Sequence, residues 1–437
     1  MDLLSADREL TRNSYYAATA GRWQCFAALQ GSASCDVAVV GGGLAGLSAA
    51  LELAGAGFSV TLLEARQLGW GASGRNGGQA IHGLACDQST IEEQLGLDEA
   101  KRIWAMSIEA LDLLRQRISR HHIDCDWRDG YLGLATNARK GRELQDWAER
   151  MDSVYGYAQQ HIPPADLARW IASERFHSGV FDARSGHLHP LKYTLGLARA
   201  AAAAGVRVHE DTPVVALLPG AVATLRTPRG EVRARHVLLA GNVYLQGIAP
   251  QLESRIMPVG TYIACTETLP DALADALIPT RAAVCDTNFV LDYFRTTNDQ
   301  RMLYGGRVSY STVTPANLSE SIRQRMVGTF PQLAAAQIEF AWGGFVDISM
   351  NRAPDFGRLP AAGAYAPNVY YLQGFSGHGL ALTGLAGKLV AEAIAGDASR
   401  LDTFARIRHR PFPGGRLLRT PALVLGMAWY RMRDLVA

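Results

Sequence analysis

Apolar residues follow two regimes along this chain. Val37, Val39 and Val40, and again Val60 to Leu63, sit in short unbroken blocks of the kind found in strands covered on both faces. Between Thr90 and His121 they recur at three-and-four spacing, with Ile103, Met106, Ala110, Leu113 and Leu114 on one face of a predicted helix. The first blocks read as strand, helix, strand: Asp36–Val40, Leu47–Ala54 ended by Gly55 and Gly57, and Phe58–Leu63. Cys125–Thr136 reads as a hairpin of strands and Ala138–Gln160 as a helix. The Ala-rich helix Leu191–Ala204, flanked by Val206–His209 and Val214–Leu218, repeats the strand and helix alternation, and Arg235–Ala240 is a further buried strand. From about 248 to 365 the pattern becomes short alternating runs, Thr261–Thr266, Phe289–Arg295, Arg301–Gly306 and Ile338–Trp342, which predict a largely antiparallel meander. Val369–Leu372 then returns as a strand leading through glycines into a helix that ends near Ala395.

Length and charge narrow the class. The 437 residues suggest two or three domains. Lys+Arg 43 against Asp+Glu 41 leaves no strong field for nucleic acid or an acidic membrane. Six scattered cysteines without a C-x-x-C pair, and no secretory signal at the start, predict reduced thiols and a cytoplasmic protein. Residues 1–30 read as an arm over the folded body, with disorder of the first ten or so as the alternative. Near the other end, Pro421–Arg433 is apolar then basic but shorter than the roughly 20 residues of a membrane span. Docking on the protein's own body is expected, with attachment to a membrane surface as the rival.

The chemistry begins where the first strand ends. Gly41, Gly43 and Gly46 form G-x-G-x-x-G around Leu44 and Ala45. Such glycines give the tight turn, the close approach to a pyrophosphate and the close helix packing of a dinucleotide site, with phosphate on the helix N-terminus. Glu64 closes the second strand about 20 residues later, where a carboxylate accepts from a ribose 2′-OH. The next stretch, Ala65, Arg66 and then Gly71 to Gln79, is too glycine-rich for a strand or helix. Gly71, Gly74, Gly77 and Gly78, with Ala72 beside them, let it wrap a flat or polar group, and Ser73, Arg75, Asn76 and Gln79 offer donors. Ala240 and Gly241 form a small-residue turn that lets the chain pass a cofactor. Gly374, Phe375, Ser376, Gly377, His378 and Gly379 open a helix N-terminus that can face the pyrimidine edge of a flavin, where charge builds on reduction. His378 is a catalytic candidate; as a helix-start residue it would only shape the pocket. His187 and His189 alternate like metal ligands, but no third ligand at matching spacing is visible, so no metal site is expected. A nicotinamide dehydrogenase would explain the first motif but leave residues 71–78 and 374–379 without a role.

Together Gly41-x-Gly43-x-x-Gly46, Glu64, Gly71–Gly78, Ala240-Gly241-Asn242 and Gly374–Gly379 resemble the FAD-dependent oxidoreductases of the D-amino-acid-oxidase, glycine-oxidase and sarcosine-oxidase type. Ser14-Tyr-Tyr-Ala-Ala, Gly186-His-Leu-His-Pro and Pro411-Phe-Pro-Gly-Gly-Arg are similar, more narrowly, to its gamma-glutamylputrescine oxidase branch. The resemblance implies an α/β fold: a discontinuous, Rossmann-like FAD-binding domain of residues 31–122, 187–247 and 366–410, and a mostly antiparallel β-sheet substrate domain of 123–186 and 248–365. Residues 411–437 would be a C-terminal extension. It adds Val214 and Val215 to the expected cofactor contacts. It implies oxidation of a small-molecule gamma-glutamylated amine to an imine, then to gamma-glutamyl-aminobutyraldehyde and ammonia, with oxygen as acceptor and hydrogen peroxide as product. Positioning carries most of such catalysis. Trp342, Tyr304 and Phe375 are candidates for an apolar or cation–π wall around the diamine, with core packing as the alternative.

Departures from the family pattern shape the expectation. Relatives with covalent flavin use a cysteine before the last glycine motif; Val346–Tyr371 has none, so FAD is expected to be non-covalent, although His82 could in principle form a link. The family's R-P-x-T-x-D arginine is out of step at Arg352, which fits an amine with no neighbouring carboxylate. Arg352 or Arg358 would then hold the distant glutamyl carboxylate or serve structural ion pairs. The oxygen-activating lysine of sarcosine-oxidase relatives is missing from Arg301–Arg307, which keeps a quinone-linked dehydrogenase as the alternative.

Overall fold

The computed structural model describes residues 3–6, 13–245, 247–288, 291–309, 317–360 and 367–413. The apolar then basic segment 421–433 and most of the predicted C-terminal extension lie outside the described residues.

The unbroken apolar blocks become the middle of one sheet. Arg207–His209, Val60–Leu63, Gly31–Val40, Gly230–Leu239 and Val369–Gln373 lie side by side and parallel. Val37 to Val40 and Val60 to Leu63 are buried throughout, as two covered faces require. Ala223–Thr227 extends the sheet antiparallel, and Asp355–Arg358 closes its other edge against Val369–Gln373. Helices Leu44–Gly55 and Gly379–Ala395 cover this sheet and touch closely: a Cβ on Gly387 would lie 2.5 Å from the Ala49 amide nitrogen. Arg117, buried on the helix Leu97–Arg120, donates to Ser48 Oγ at 3.0 Å and to Glu52 Oε1 at 2.8 Å, tying a third helix to the pair.

The second sheet runs Ile338–Ser349, Ile256–Thr266, Met302–Ser309, Tyr293–Thr296, Ala283–Asp286, Arg128–Ala135, Ser178–His187 and Gln79–Ala80. Every pairing is antiparallel except Ala283–Asp286 with Arg128–Ala135.

Four sequence expectations change. Cys125–Thr136 is not a hairpin but leads into a single strand, Arg128–Ala135, whose partner Ser178–His187 arrives only after the helix Ala138–Tyr155. Gly130, at φ +107°, marks a register shift in that strand rather than a turn. The helix expected over 90–121 is two, Gln88–Leu95 and Leu97–Arg120, because Gly96 at φ +85° breaks it. Asp355–Arg358, from the span assigned to the substrate unit, pairs in the first sheet, and Gln79–Ala80, from the span assigned to the cofactor unit, pairs in the second.

From residue 13 the arm packs on the body. Tyr15 and Tyr16 are buried, Tyr16 Oη accepts from Arg295, and Glu210 accepts from the Leu68 and Phe26 amides and from Arg22. His189 packs against Tyr15 and Tyr16 of the arm, whereas His187 ends a strand of the second sheet. His187 Nε2 donates to the Arg281 carbonyl, and His189 caps the helix Pro190–Ala203 by accepting from the Lys192 amide. No cluster suited to a metal ion occurs among the described residues, and no helix among them is long and apolar enough to cross a membrane.

Burial, with Arg295 nearby for His187 and Lys192 for His189, holds both imidazoles neutral, with pKa values lowered to about 3. An unfolded chain takes up these protons from about pH 6.5 downward. Stability is therefore complete above that pH and falls, by roughly 1.4 kcal/mol per pH unit for each histidine, as the pH drops toward 3. Denaturant midpoints measured from pH 7.5 to 4.5 should show this loss, and H189N, which keeps a capping acceptor, should flatten it.

Candidate active site

The carboxyl ends of the parallel strands converge on the glycine turn. Helix Leu44–Gly55 begins on Gly43, which has no side chain to cap its first amides. A Cβ on Gly41 would sit 2.5 Å from the Ala240 carbonyl oxygen, and one on Gly43 would sit 2.6 Å from Ser73 Oγ, so both glycines are required by close approach. Glu64 lies across the turn: Oε2 accepts from the Gly42 amide at 2.6 Å and Oε1 from the Arg66 amide at 2.8 Å. Desolvation raises the Glu64 pKa, opposed by those two amides. Each oxygen keeps a second acceptor position of the kind a ribose hydroxyl uses. The Asp211 amide donates to the Arg66 carbonyl at 2.8 Å, fixing the chain just after Ala65.

Residues 71–79 pass between the two sheets. Ala72–Gly74 is a short 3-10 turn, Ser73 Oγ accepts from the Leu44 amide at 2.9 Å, and the Asn76 side chain bonds to the carbonyls of Ala72 and Ser73 and to the Gly78 amide. Arg75 is buried over the Trp70 ring and donates to the carbonyls of Trp70 and Gly343. Arg295, from the second sheet, donates to the Gly77 and Leu188 carbonyls. Gln79 Nε2 reaches the Val284 carbonyl at 3.0 Å.

The last motif is equally fixed. Gly374 (φ +75°) and Ser376 (φ +53°) make a left-handed turn. Asp347, buried under it, accepts from the Gly374 amide at 2.6 Å; burial raises its pKa to about 7. Ser376 Oγ accepts from the Ser349 amide, and Phe375 packs on Phe356. His378 Nε2 donates to the His82 carbonyl at 2.7 Å, and desolvation brings its pKa down to about 4, so the ring is neutral. Gly377 and Gly379 flank it at the helix start.

A cavity of about 230 Å³ opens beside His378, walled by His82, Gln88, Trp104, Tyr131 and Trp147. The predicted wall residues are elsewhere. Trp342, 1% exposed, gives its indole N–H to the Arg75 carbonyl and packs edge-on against Tyr16. Tyr304 stacks on Phe294 and bonds to Thr329 and Arg175 inside the second core. Val214 packs with Val40 and Leu63, whereas Val215 is 59% exposed. Arg358 pairs with Asp402 at the surface; Arg352 is half-buried near Cys86, a cavity residue, and desolvation lowers its pKa. Sequence reasoning missed Trp104, Trp147 and the Asp182 carboxylate that holds His82. Asp182 is the one acid within the apolar run Gly179–Phe181 and its continuation, the only local signal available.

A bare glycine turn at a helix start, a carboxylate fixed across it, and a wrapped loop leading to a second helix start form the cradle of an extended dinucleotide, and the chain belongs to the FAD-dependent oxidoreductases of the D-amino-acid-oxidase type. Residues 36–393 match that family, described as FAD dependent oxidoreductase, and FAD is the cofactor. Over 424 residues the chain is 43% identical to the gamma-glutamylputrescine oxidoreductase of Escherichia coli (strain K12), covering 97% of this chain and 98% of that one. It is 38% identical to the probable oxidoreductase OrdL of Haemophilus influenzae over 405 residues, 91% of this chain and 92% of the other. The crystal structure of glycine oxidase from Geobacillus kaustophilus shares the fold, with a TM-score of 0.69 at 20% identity over 83% of this chain and 95% of that one.

Glu64→Gln would set an amide N–H₂ against the Gly42 or Arg66 N–H. FAD titrated into the apoprotein, followed by flavin fluorescence, should show affinity lowered by about 1–3 kcal/mol, roughly fivefold to 150-fold.

Proposed function

We propose that this protein oxidises the terminal amine of a gamma-glutamylated diamine, foremost gamma-glutamylputrescine, to an imine that water converts to gamma-glutamyl-aminobutyraldehyde and ammonia. Oxygen is the proposed acceptor, with hydrogen peroxide as product. The observation that carries the reading is the 43% identity to gamma-glutamylputrescine oxidoreductase across nearly the whole of both chains. Bound FAD supplies a hydride acceptor; the residues of this chain do the rest.

The cavity suits an alkylammonium chain. Trp104, Tyr131 and Trp147 offer aromatic faces to a cation, and Asp87 and Asp286 line the same space. Arg352, near Cys86, is the proposed partner for a glutamyl carboxylate. Non-covalent FAD is supported by the absence of cysteine between Val346 and Tyr371 and by the engagement of His82 Nδ1 with Asp182. In this reading the cofactor unit comprises 31–122, 187–247 and 366–410, with Asp355–Arg358 added to its sheet, and the cavity lies between it and the spans 123–186 and 248–365, with His82, Trp104 and His378 on one side and Tyr131, Trp147 and Asp286 on the other.

Purified yellow protein mixed with gamma-glutamylputrescine under nitrogen should bleach, and in air should release one peroxide per amine. Bleaching without peroxide would replace oxygen by another acceptor such as a quinone. Absence of bleaching would remove gamma-glutamylputrescine as substrate, and a panel of other amines and amino acids would follow.

A further inference from the structure

The cavity contains a second device that the cofactor cradle does not use. We infer that His82, aimed by Asp182, takes the proton from the substrate ammonium. This rests on the amine-oxidising reading above.

An alkylammonium has no lone pair and cannot form a C=N bond, and with a pKa near that of lysine, about 10.4, only roughly one molecule in a thousand is free amine at pH 7.5. The site must therefore accept a proton. Among the titratable groups that face the cavity, most are unsuited. His378 is tethered through Nε2 to the His82 carbonyl, and burial leaves its other nitrogen weakly basic. Asp286 is saturated: its oxygens accept from Arg175, the Asn288 side chain, and the Asn288 and Asp292 amides. Burial keeps the Cys86 thiol protonated, pushed up to about 12, and raises the Tyr131 phenol well above its ordinary range. Asp87 is exposed at the rim.

His82 differs in every respect. It is 8% exposed, its Nδ1 lies 2.7 Å from Asp182 Oδ2, and its amide donates to Ser185 Oγ at 3.0 Å. The ring stacks on Trp147 at 25° and meets Tyr131 edge-on at 84°. Asp182 is itself held by Tyr157 Oη, Ser185 Oγ and the Arg184 amide. Burial pushes the Asp182 pKa up, but the His82 and Ser185 bonds and the Arg184 amide outweigh it and leave it at about 2. A carboxylate only accepts, so Nδ1 carries hydrogen and the lone pair of the neutral ring is on Nε2. No bond reaches Nε2 among the described residues.

The step balances. The ammonium N–H bond breaks, the proton bonds to His82 Nε2, and the electron pair stays on the amine nitrogen, where it forms the C=N bond as the adjacent carbon gives up hydride. The imidazolium faces the Asp182 charge and returns its proton to water as product leaves. His82 is then a catalytic residue and Asp182 a positioning one.

The test is anaerobic stopped-flow reduction of the FAD-loaded enzyme by gamma-glutamylputrescine between pH 6.5 and 10.5, for wild type, H82Q and D182N. At pH 7.5, H82Q should reduce about 10²- to 10⁴-fold more slowly. Its rate should climb about tenfold per pH unit and approach wild type near pH 10, where the amine is free in solution. D182N should lose about tenfold or more and show the same climb. A structural role would slow the reaction without moving its pH dependence. H82Q that holds FAD and reduces at the wild-type rate, or slowly with the wild-type pH profile, overturns the inference. Where H82Q does not hold FAD, D182N decides by the same criteria. Failure of the wild type itself to bleach strikes only the substrate reading, and the comparison is then made with whichever amine bleaches it.

Discussion

The loop from Trp70 to Gln79 runs between two sheets, and its carbonyl groups have to be satisfied there without the help of a regular ladder. Unpaired buried carbonyls cost about 1–3 kcal/mol each. Arg75 and Arg295 supply the donors, to the carbonyls of Trp70 and Gly343 and of Gly77 and Leu188. The Trp342 indole adds a bond to the carbonyl of Arg75 itself. Arginine suits this work because its five N–H donors stay charged and fixed in a planar fork. Since Arg295 and Trp342 come from the second sheet and the loop from the first, these bonds set the position of the cradle against the cavity walls. They also explain why Trp342, a candidate for the substrate wall, faces the loop instead.

The same constraint sorts the histidines. His187 and His189 are buried near cations and stay neutral, so they give hydrogen bonds without adding charge. On the cavity, His378 and His82 share one hydrogen bond through the His82 carbonyl, yet their rings have opposite surroundings. His378 is desolvated and answered by backbone carbonyls; His82 has a carboxylate behind it. Two titratable groups placed so differently at one cavity are suited to separate tasks.

Much of the scaffold was legible from residues close in sequence. The parallel strands announced themselves as continuous apolar blocks, and the helix Gly379–Ala395 followed from its glycine start and apolar face. What was not legible depended on partners far along the chain. Arg128–Ala135 pairs with Ser178–His187, which local turn chemistry around Gly130 could not reveal. Tyr304 and Trp342 were read as candidates for a substrate wall with core packing as the alternative, and each is 1% exposed within the packed interior. Period alone does not distinguish an interior that faces a cavity from one that faces another sheet. The His82 and Asp182 pair, a hundred positions apart, was invisible for the same reason.

The aromatic enclosure around His82 has an energetic logic of its own. Removing an ammonium from water is costly, and the faces of Trp104, Tyr131 and Trp147 recover part of that cost through the cation–π interaction. In the proposed reaction, transfer of the ammonium proton to the His82 ring leaves the total charge of the cavity unchanged. The positive charge moves only from the amine to a ring 2.7 Å from Asp182, where the low local dielectric strengthens the attraction. A carboxylate in contact with the amine would instead be neutralised by the proton, and two charges would vanish in a site built to hold one of them. The imidazole relay keeps the cavity ionised while freeing the nitrogen lone pair, which is the condition oxidation of the adjacent carbon requires.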